Sequence, residues 1–156
     1  MMITLKVILT IKTKNSMIIK FAISEFNITG EPIPEDVCDK LLKWHIAPMM
    51  DVRNELDIPI WASQESGYRP ESWENKRGRS GNSQHCFHAK GAVDWTCKNF
   101  SYNKNRLVRS IIKNTDYTRI AIYDSFIHCD YKATNSGRRE LYLSGSNSKW
   151  EFEKYV

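Results

Sequence analysis

The alternation of apolar and polar positions in the first half of the chain predicts two strands separated by a long helix. Apolar runs at 17–24 and 58–63 indicate the strands, the second by its alternating pattern. Over 35–56 the apolar residues recur at near-helical spacing, which predicts a helix that begins after Pro34. Pro48 lies within this span, so we expect the helix to be kinked or divided there.

The second half of the chain mixes loop, helix and strand patterns. Residues 64–84 are polar and rich in Gly, Ser, Arg and Asn, so we expect a long loop. A single apolar stripe predicts a helix over 103–114. Asp124 and Ser125 should form a tight turn, and a Ser/Gly loop is expected at 144–148. Strands are predicted at 89–96, 118–123, 126–131 and 150–156.

Together these elements predict a single α+β domain in which two helical regions pack on a mostly antiparallel sheet. A chain of 156 residues suits one domain with one hydrophobic core. Met17 precedes a new apolar run, so we assign the domain to 17–156 and regard 1–16 as an N-terminal extension or an extra strand.

The charge of the chain bears on its partners. A formal net charge of +5 could favour nucleic acid or an acidic polymer. The basic residues are dispersed, however, apart from Lys76, Arg77 and Arg79, and the aromatic residues form no regular platform for stacked bases. We therefore expect no nucleic-acid partner, although net charge alone keeps a nucleic-acid binder as an alternative.

The cysteines and the N-terminus indicate the compartment. Cys38, Cys86, Cys97 and Cys129 form no C-x-x-C pair, so free thiols are predicted instead of a disulfide framework or a zinc knuckle. The chain has no apolar segment of membrane-span length, and no small-residue cleavage site follows its apolar N-terminus. We therefore expect a protein made in the cytoplasm without a signal peptide.

Three segments carry candidate chemistry: SGYRP at 66–70, SQHCFHAKGAVDW at 83–95 and YDSFIHCD at 123–130. A catalytic zinc site needs nitrogen, sulfur or carboxylate ligands and one position left for water. Two histidines and a carboxylate from these segments satisfy that rule. As a bare set they also fit structural roles, since a lone histidine is more often structural than a ligand. His45 lies on the predicted helix and is interpreted as an ordinary helix residue.

From about Phe21 to about Tyr131 the sequence resembles the zinc D-Ala-D-Ala carboxypeptidase family. The fold of this family is shared with hedgehog-type and lysostaphin-type domains, and the greatest similarity is to its phage-type and bacterial cell-wall members. The pieces that carry the resemblance occur in the family's order. They are SGYR at 66–69, SQH at 83–85, GAVD at 91–94 and FIHCD at 126–130.

The resemblance implies that His85, Asp94 and His128 bind Zn²⁺. It also implies that Arg69 binds a substrate carboxylate or carbonyl, a role that suits the planar fork of a guanidinium group. Ser83 is either a hydrogen-bonding partner of the substrate or a turn residue.

The sequence departs from the family pattern at two points. The interval from His85 to Asp94 is longer than usual, and His88 lies between them, so His88 could replace His85 as the ligand. Many relatives place an acidic general base three residues before the last histidine, where this chain has Ser125. Asp124, which we favour slightly, and Asp130 are the candidate bases, and either could instead orient a ligand.

The function implied by the resemblance is that of a zinc-dependent peptidoglycan peptidase. It would cleave stem peptides or cross-links with metal-activated water, as a D,D-carboxypeptidase or an endopeptidase. Independently of the resemblance, we expect a monomer. It would reach the cell wall after release or as part of a phage particle. The alternative is a non-catalytic metal-binding structural or cell-wall-binding module of the same fold.

Overall fold

The computed structural model describes residues 21–145, 147 and 149–156, so the predicted extension at 1–16 and the first part of the predicted strand at 17–24 lie outside the described residues. The described elements form one mixed α/β domain. Its helices are α1 (Glu35–Lys40), a π-helical segment (Leu41–Ile46), α2 (Ala47–Leu56), α3 (Glu71–Lys76) and α4 (Phe100–Asn114). Its strands are β1 (Ile60–Ala62), β2 (Ala92–Cys97), β3 (Arg119–Ile122), β4 (Ile127–Asp130), β5 (Glu140–Ser144) and β6 (Trp150–Tyr155).

The sheet is six-stranded, in the order β1-β2-β4-β3-β5-β6. All neighbouring strands are antiparallel except β3 and β5, which are parallel. The predicted α+β class with a mostly antiparallel sheet is therefore confirmed. Among the described residues, none of the helices is both long and apolar enough to cross a membrane.

Three of the sequence predictions need correction. Part of the predicted first strand is a 3-10 turn at Ile23–Phe26. The long polar loop contains α3, which Pro70 begins and whose first turn carries Glu71 and Glu74, favourable at the positive end of a helix. The strand β5 was not predicted, because its apolar run at 141–143 is only three residues long and its place in the sheet is set by backbone pairing with β3 and β6.

Pro48 alters the long helix without ending it. Proline has no N–H, so in a regular helix it would leave the carbonyl of Trp44 without its i+4 donor. The structure compensates in two ways. The π-helical segment ends directly before α2, and the hydroxyl of Tyr131 donates to the Trp44 carbonyl over 2.5 Å. The interruption is thus a π segment anchored to the end of the sheet.

The buried His45 joins this helix to the sheet. Its Nδ1 lies 2.9 Å from the Tyr117 hydroxyl, and its Nε2 lies 2.9 Å from the Lys90 carbonyl. A carbonyl only accepts, so Nε2 carries the proton and Nδ1 accepts from Tyr117. The indole of Trp95 donates in turn to the Tyr117 oxygen over 3.2 Å. The interpretation of His45 as an ordinary helix residue therefore understated its role, since it is a fully buried part of the core.

We expect His45 to make the fold sensitive to acid. Burial lowers its pKa from 6.5 to about 4, so the unfolded chain binds a proton more readily than the folded one over that interval. The free energy of unfolding should therefore fall as the pH decreases from about 6.5 to 4, by about 3 kcal/mol from this group. Urea unfolding at pH 7 and pH 4.5 measures this loss.

The matched control for this prediction is His45→Gln. Glutamine does not titrate, yet its amide can accept from Tyr117 and donate to the Lys90 carbonyl. The variant should lose less stability than the parent between the two pH values. Equal losses in parent and variant would show that another group causes the acid sensitivity.

Candidate metal centre

The pairing of β2 with β4 sets the arrangement of the candidate ligands. Asp94 of β2 lies directly opposite His128 of β4. Side chains alternate between the faces of a strand, so these two project on one face, while Val93 and Trp95 project on the other into the hydrophobic core. The register of one antiparallel pair therefore brings a carboxylate and an imidazole together across 34 residues of sequence.

The third candidate ligand, His85, lies on a 3-10 turn at Gln84–Cys86. The Ser83 hydroxyl caps this turn by accepting from the His85 backbone N–H over 3.2 Å. The Nδ1 of His85 lies 3.1 Å from the Gly67 carbonyl, which can only accept. Nδ1 therefore carries a proton, and Nε2 is the nitrogen that faces Asp94 and is left for a metal ion.

The three side chains converge on one oxygen atom. Asp94 Oδ1 lies 2.8 Å from His128 Nδ1 and 3.4 Å from His85 Nε2. All three residues are buried, and their candidate ligand atoms lie within 4.8 Å of one another. Two imidazole nitrogens and one carboxylate form the donor set of a catalytic zinc site. The cluster could therefore bind a metal ion, with Nε2 of His85 and Nδ1 of His128 as its nitrogen ligands.

The SGYR segment supports this cluster through its first two residues. The Ser66 hydroxyl accepts from the backbone N–H of Asp94 over 2.5 Å, and the Gly67 carbonyl orients His85. Gly67 has φ of +110°, and a Cβ there would lie 2.8 Å from Cα of Phe26. Only glycine therefore allows the backbone to place the carbonyl of residue 67 against His85 without a clash. Sequence reasoning noticed the motif but did not identify Ser66 as a support for Asp94.

Arg69 completes the motif at the edge of the cluster. Its Nε donates to the Glu65 carbonyl over 2.9 Å, which fixes the direction of the guanidinium group. Its terminal nitrogens lie 3.6 Å from Asp94 and 3.6 Å from the buried Glu74. Arg69 also lines, with the three candidate ligands, a cavity of about 240 Å³. Arg69, Ser83 and Glu74 border a neighbouring cavity as well.

Comparison with known families agrees with this geometry. The family model described as peptidase M15 matches residues 20–130. The chain belongs to the peptidase M15 family. This is a zinc D-Ala-D-Ala carboxypeptidase-like family, and the predicted resemblance is confirmed. Neither a curated protein nor a solved structure matches the chain significantly.

Membership of the M15 family indicates a zinc peptidase, and the family acts on peptidoglycan-type peptides. The matched segment contains Arg69 and all three candidate ligands. Trp150, which also lines the cavity, lies beyond the last matched residue.

The long interval between His85 and Asp94 is taken up by a turn that packs on the helices. Phe87 is buried against His45, with ring centroids 5.6 Å apart, and its carbonyl accepts from Lys40 over 2.7 Å. Within this turn His88 points away from the cluster. Its Nε2 lies 2.9 Å from the Gly81 carbonyl and 3.0 Å from Glu71, and its side chain is half exposed. The structure therefore brings His85, and not His88, beside Asp94.

Asp130 lies behind His128. Its Oδ2 accepts from His128 Nε2 over 2.8 Å, and its two oxygens accept from the Arg119 guanidinium over 2.9 and 2.5 Å. The Lys132 backbone N–H also donates to this carboxylate. A carboxylate on the second nitrogen of a metal-binding histidine fixes the orientation of its ring. These contacts favour an orienting role for Asp130. Asp124, by contrast, is an exposed residue of the turn between β3 and β4.

The charges of the cluster stabilise one another. Burial would raise the pKa of Asp94, but the charges and hydrogen bonds of His85 and His128 hold it well below its ordinary value. Burial would lower the pKa of His128, but hydrogen bonds to Asp130 and Asp94 raise it to about 9. Asp130 is ionised too, with its pKa lowered to about 2 by His128 and Arg119 against the effect of burial. Binding of a metal ion to Nδ1 would displace the proton of His128.

Proposed function

We propose that this chain is a zinc-dependent peptidoglycan peptidase that hydrolyses small-residue stem peptides or cross-links. The observation that carries the proposal is the convergence of His85, Asp94 and His128 in one cavity with Arg69 at its edge. Two histidines and a carboxylate suit zinc and leave a position for water or substrate. Membership of the M15 family supports the same chemistry.

The residues around the cluster have distinct parts in the proposed reaction. Bound zinc would supply a Lewis acid that activates water near neutral pH and polarises the scissile carbonyl. Arg69 would hold the substrate carboxylate or carbonyl and stabilise negative charge that develops on oxygen. A carboxylate would take a proton and return it to the leaving amine. We assign this step to Asp124, with Asp130 as the alternative.

The size and polarity of the cavity support a small peptide as the substrate. Its volume of about 240 Å³ lies below the 300–1,000 Å³ typical of sites for drug-sized ligands. Arg69 and the metal-binding cluster line it together with aromatic rings. Peptidoglycan stem peptides combine small side chains with free carboxylates, which such a cavity would accept.

Digestion of purified peptidoglycan tests the proposed function. The protein, loaded with zinc, should release peptide fragments whose masses identify the bond that is cut. Release should stop when a chelator is added and resume when zinc is restored. Zinc that binds stoichiometrically without any release of fragments would contradict an enzyme and indicate a metal-binding module.

We expect Arg69→Lys to lower kcat/KM on stem peptides by roughly 10- to 1000-fold, although the charge is retained. A lysine cannot reproduce the two parallel hydrogen bonds of a guanidinium group. A contact of this kind contributes a few kcal/mol, and every 1.4 kcal/mol is tenfold in rate. Steady-state kinetics on a defined stem peptide measures the effect, with zinc content determined in parallel.

The matched control is Arg79→Lys. Arg79 also pairs with Glu74, at 3.4 Å, but its side chain is half exposed and lies outside the cavity that contains the metal cluster. This variant should stay within a few-fold of the parent. An Arg69→Lys variant as active as the parent, or efficient cleavage of casein by the parent, would contradict the proposed substrate class.

A further inference from the structure

Trp150 brings the C-terminal strand to the metal centre. It lies on β6, an edge strand of the sheet, beyond the residues 20–130 that match the M15 family. Its ring centroid is 5.1 Å from that of His128, and its indole lines the same cavity as the candidate ligands. A part of the chain outside the family match thus contributes a wall to the site.

The indole of Trp150 is held on several sides. Its Nε1–H donates to the Tyr123 hydroxyl over 2.8 Å. The guanidinium carbon of Arg119 lies 4.9 Å from its ring centroid, and the ring of Tyr142 packs at 5.2 Å. Arg119 is itself fixed by its ion pair with Asp130. These contacts restrict rotation of the indole and hold it against the metal centre.

Trp150 forms a continuous aromatic wall with two residues that flank the β3–β4 turn. The rings of Tyr123 and Phe126 stack at 4.3 Å with an interplanar angle of 18°. All three rings border the cavity, which is also lined by the charged side chains of Arg69 and Asp94. A peptide in this cavity would therefore present its carboxylate or carbonyl to the charged residues and a side chain to the aromatic wall.

We propose that Trp150 is a specificity-determining residue that limits the side chain beside the scissile bond to about the size of alanine. This inference rests on the proposed peptidase function and refines it. The aromatic rings offer an apolar surface for a methyl group, and the indole, 5.1 Å from the His128 ring, would collide with a larger branched side chain placed beside the metal centre.

The test compares the zinc-loaded parent with zinc-loaded Trp150→Ala on two series of peptide substrates. One series varies the residue before the scissile bond and the other the residue after it, each carrying D-alanine, D-valine or D-leucine. In one series the ratio of kcat/KM for D-leucine to that for D-alanine should rise by roughly 10- to 200-fold in the variant, the range for a size change in an apolar pocket. Unchanged ratios in both series would overturn the inference.

The chain offers a matched control at the opposite edge of the sheet. Trp61 of β1 is 40% exposed and lies outside the residues that line the cavity. Trp61→Ala should leave both ratios as in the parent.

A second variant, Trp150→Phe, keeps an aromatic residue in β6, so it should fold even where the alanine variant does not. It should raise the same ratio by a smaller factor. If Trp150→Ala does not fold, a Trp150→Phe variant whose ratio equals that of the parent would also overturn the inference.

A binding measurement separates this inference from the proposed function. The five tryptophans give indole N–H resonances, and loss of one in Trp150→Phe identifies Trp150. Titration of the zinc-loaded parent with the same peptides should shift this resonance most with D-alanine and yield a dissociation constant at least tenfold lower than for D-leucine. If the parent cleaves none of the peptides, the proposed function fails, and the ratio of dissociation constants alone decides the role of Trp150.

Discussion

Replacing His85 and His128 together with alanine is expected to abolish zinc binding and to reduce peptide hydrolysis to the background rate. The two imidazoles face Asp94 Oδ1 at 3.4 and 2.8 Å and supply two of the three proposed ligands. A carboxylate alone cannot hold zinc in a tetrahedral site, so the chemistry that zinc provides would be lost with the metal. Metal analysis of the purified variant and digestion of peptidoglycan measure the two effects.

His88→Ala is the matched control for this prediction. His88 lies in the same turn as His85 but binds the Gly81 carbonyl and Glu71. It should keep a full equivalent of zinc, whereas His85→Ala should lose the metal. The opposite result would mean that His88 is the ligand. Full zinc occupancy in the double variant would exclude the proposed site altogether.

The second large effect is expected at Asp124. We predict that Asp124→Asn lowers kcat by 10²- to 10⁴-fold, the usual contribution of a general base, while zinc remains bound. Asp124 is exposed and follows Tyr123, which borders the cavity, so its carboxylate is accessible to water near the site. Single-turnover kinetics with metal analysis separates a loss of proton transfer from a loss of metal.

Asp130→Asn should affect zinc binding more than proton transfer. The Asp130 carboxylate is occupied by His128, Arg119 and the Lys132 backbone N–H, and it is completely buried. Residues that orient a ligand in this manner typically contribute 10- to 100-fold to metal affinity or activity. We therefore expect weaker zinc binding, measured by competition with a chelator. The two variants together decide which residue is the base. If Asp124→Asn turns over normally, and Asp130→Asn keeps its zinc but loses turnover, Asp130 is the general base.

Local sequence patterns predicted most of the elements near the site. Strands β2, β3 and β4 and helix α4 were all expected, with boundaries that differ by a few residues. Alternation is a local property, so it also predicted that His128 and Asp130 share one face of β4. The helix α3 was missed because its residues are polar, and polarity hides a short helix inside a loop pattern.

Contacts between distant segments could not be read from such patterns. The parallel pairing of β5 with β3 joins strands about twenty residues apart through backbone groups that every residue carries. The network of His45, Tyr117 and Trp95 depends on side chains from a helix, a loop and a strand that meet only in the packed core. For this reason His45 was taken for an ordinary helix residue.

The sequence by itself determined the fold class and the family, and its resemblance to that family limited the candidate ligands to Asp94, His128 and either His85 or His88, because periodicity and ordered motifs can be recognised in the sequence alone. Only the tertiary structure decided that His85 and not His88 stands beside Asp94, that Asp130 is held by Arg119, and that Trp150 forms a wall of the cavity. Each of these facts depends on strand register and on turns that bring together residues far apart in the chain. Distances between such residues are set by the packing of the whole domain, which no short stretch of sequence specifies.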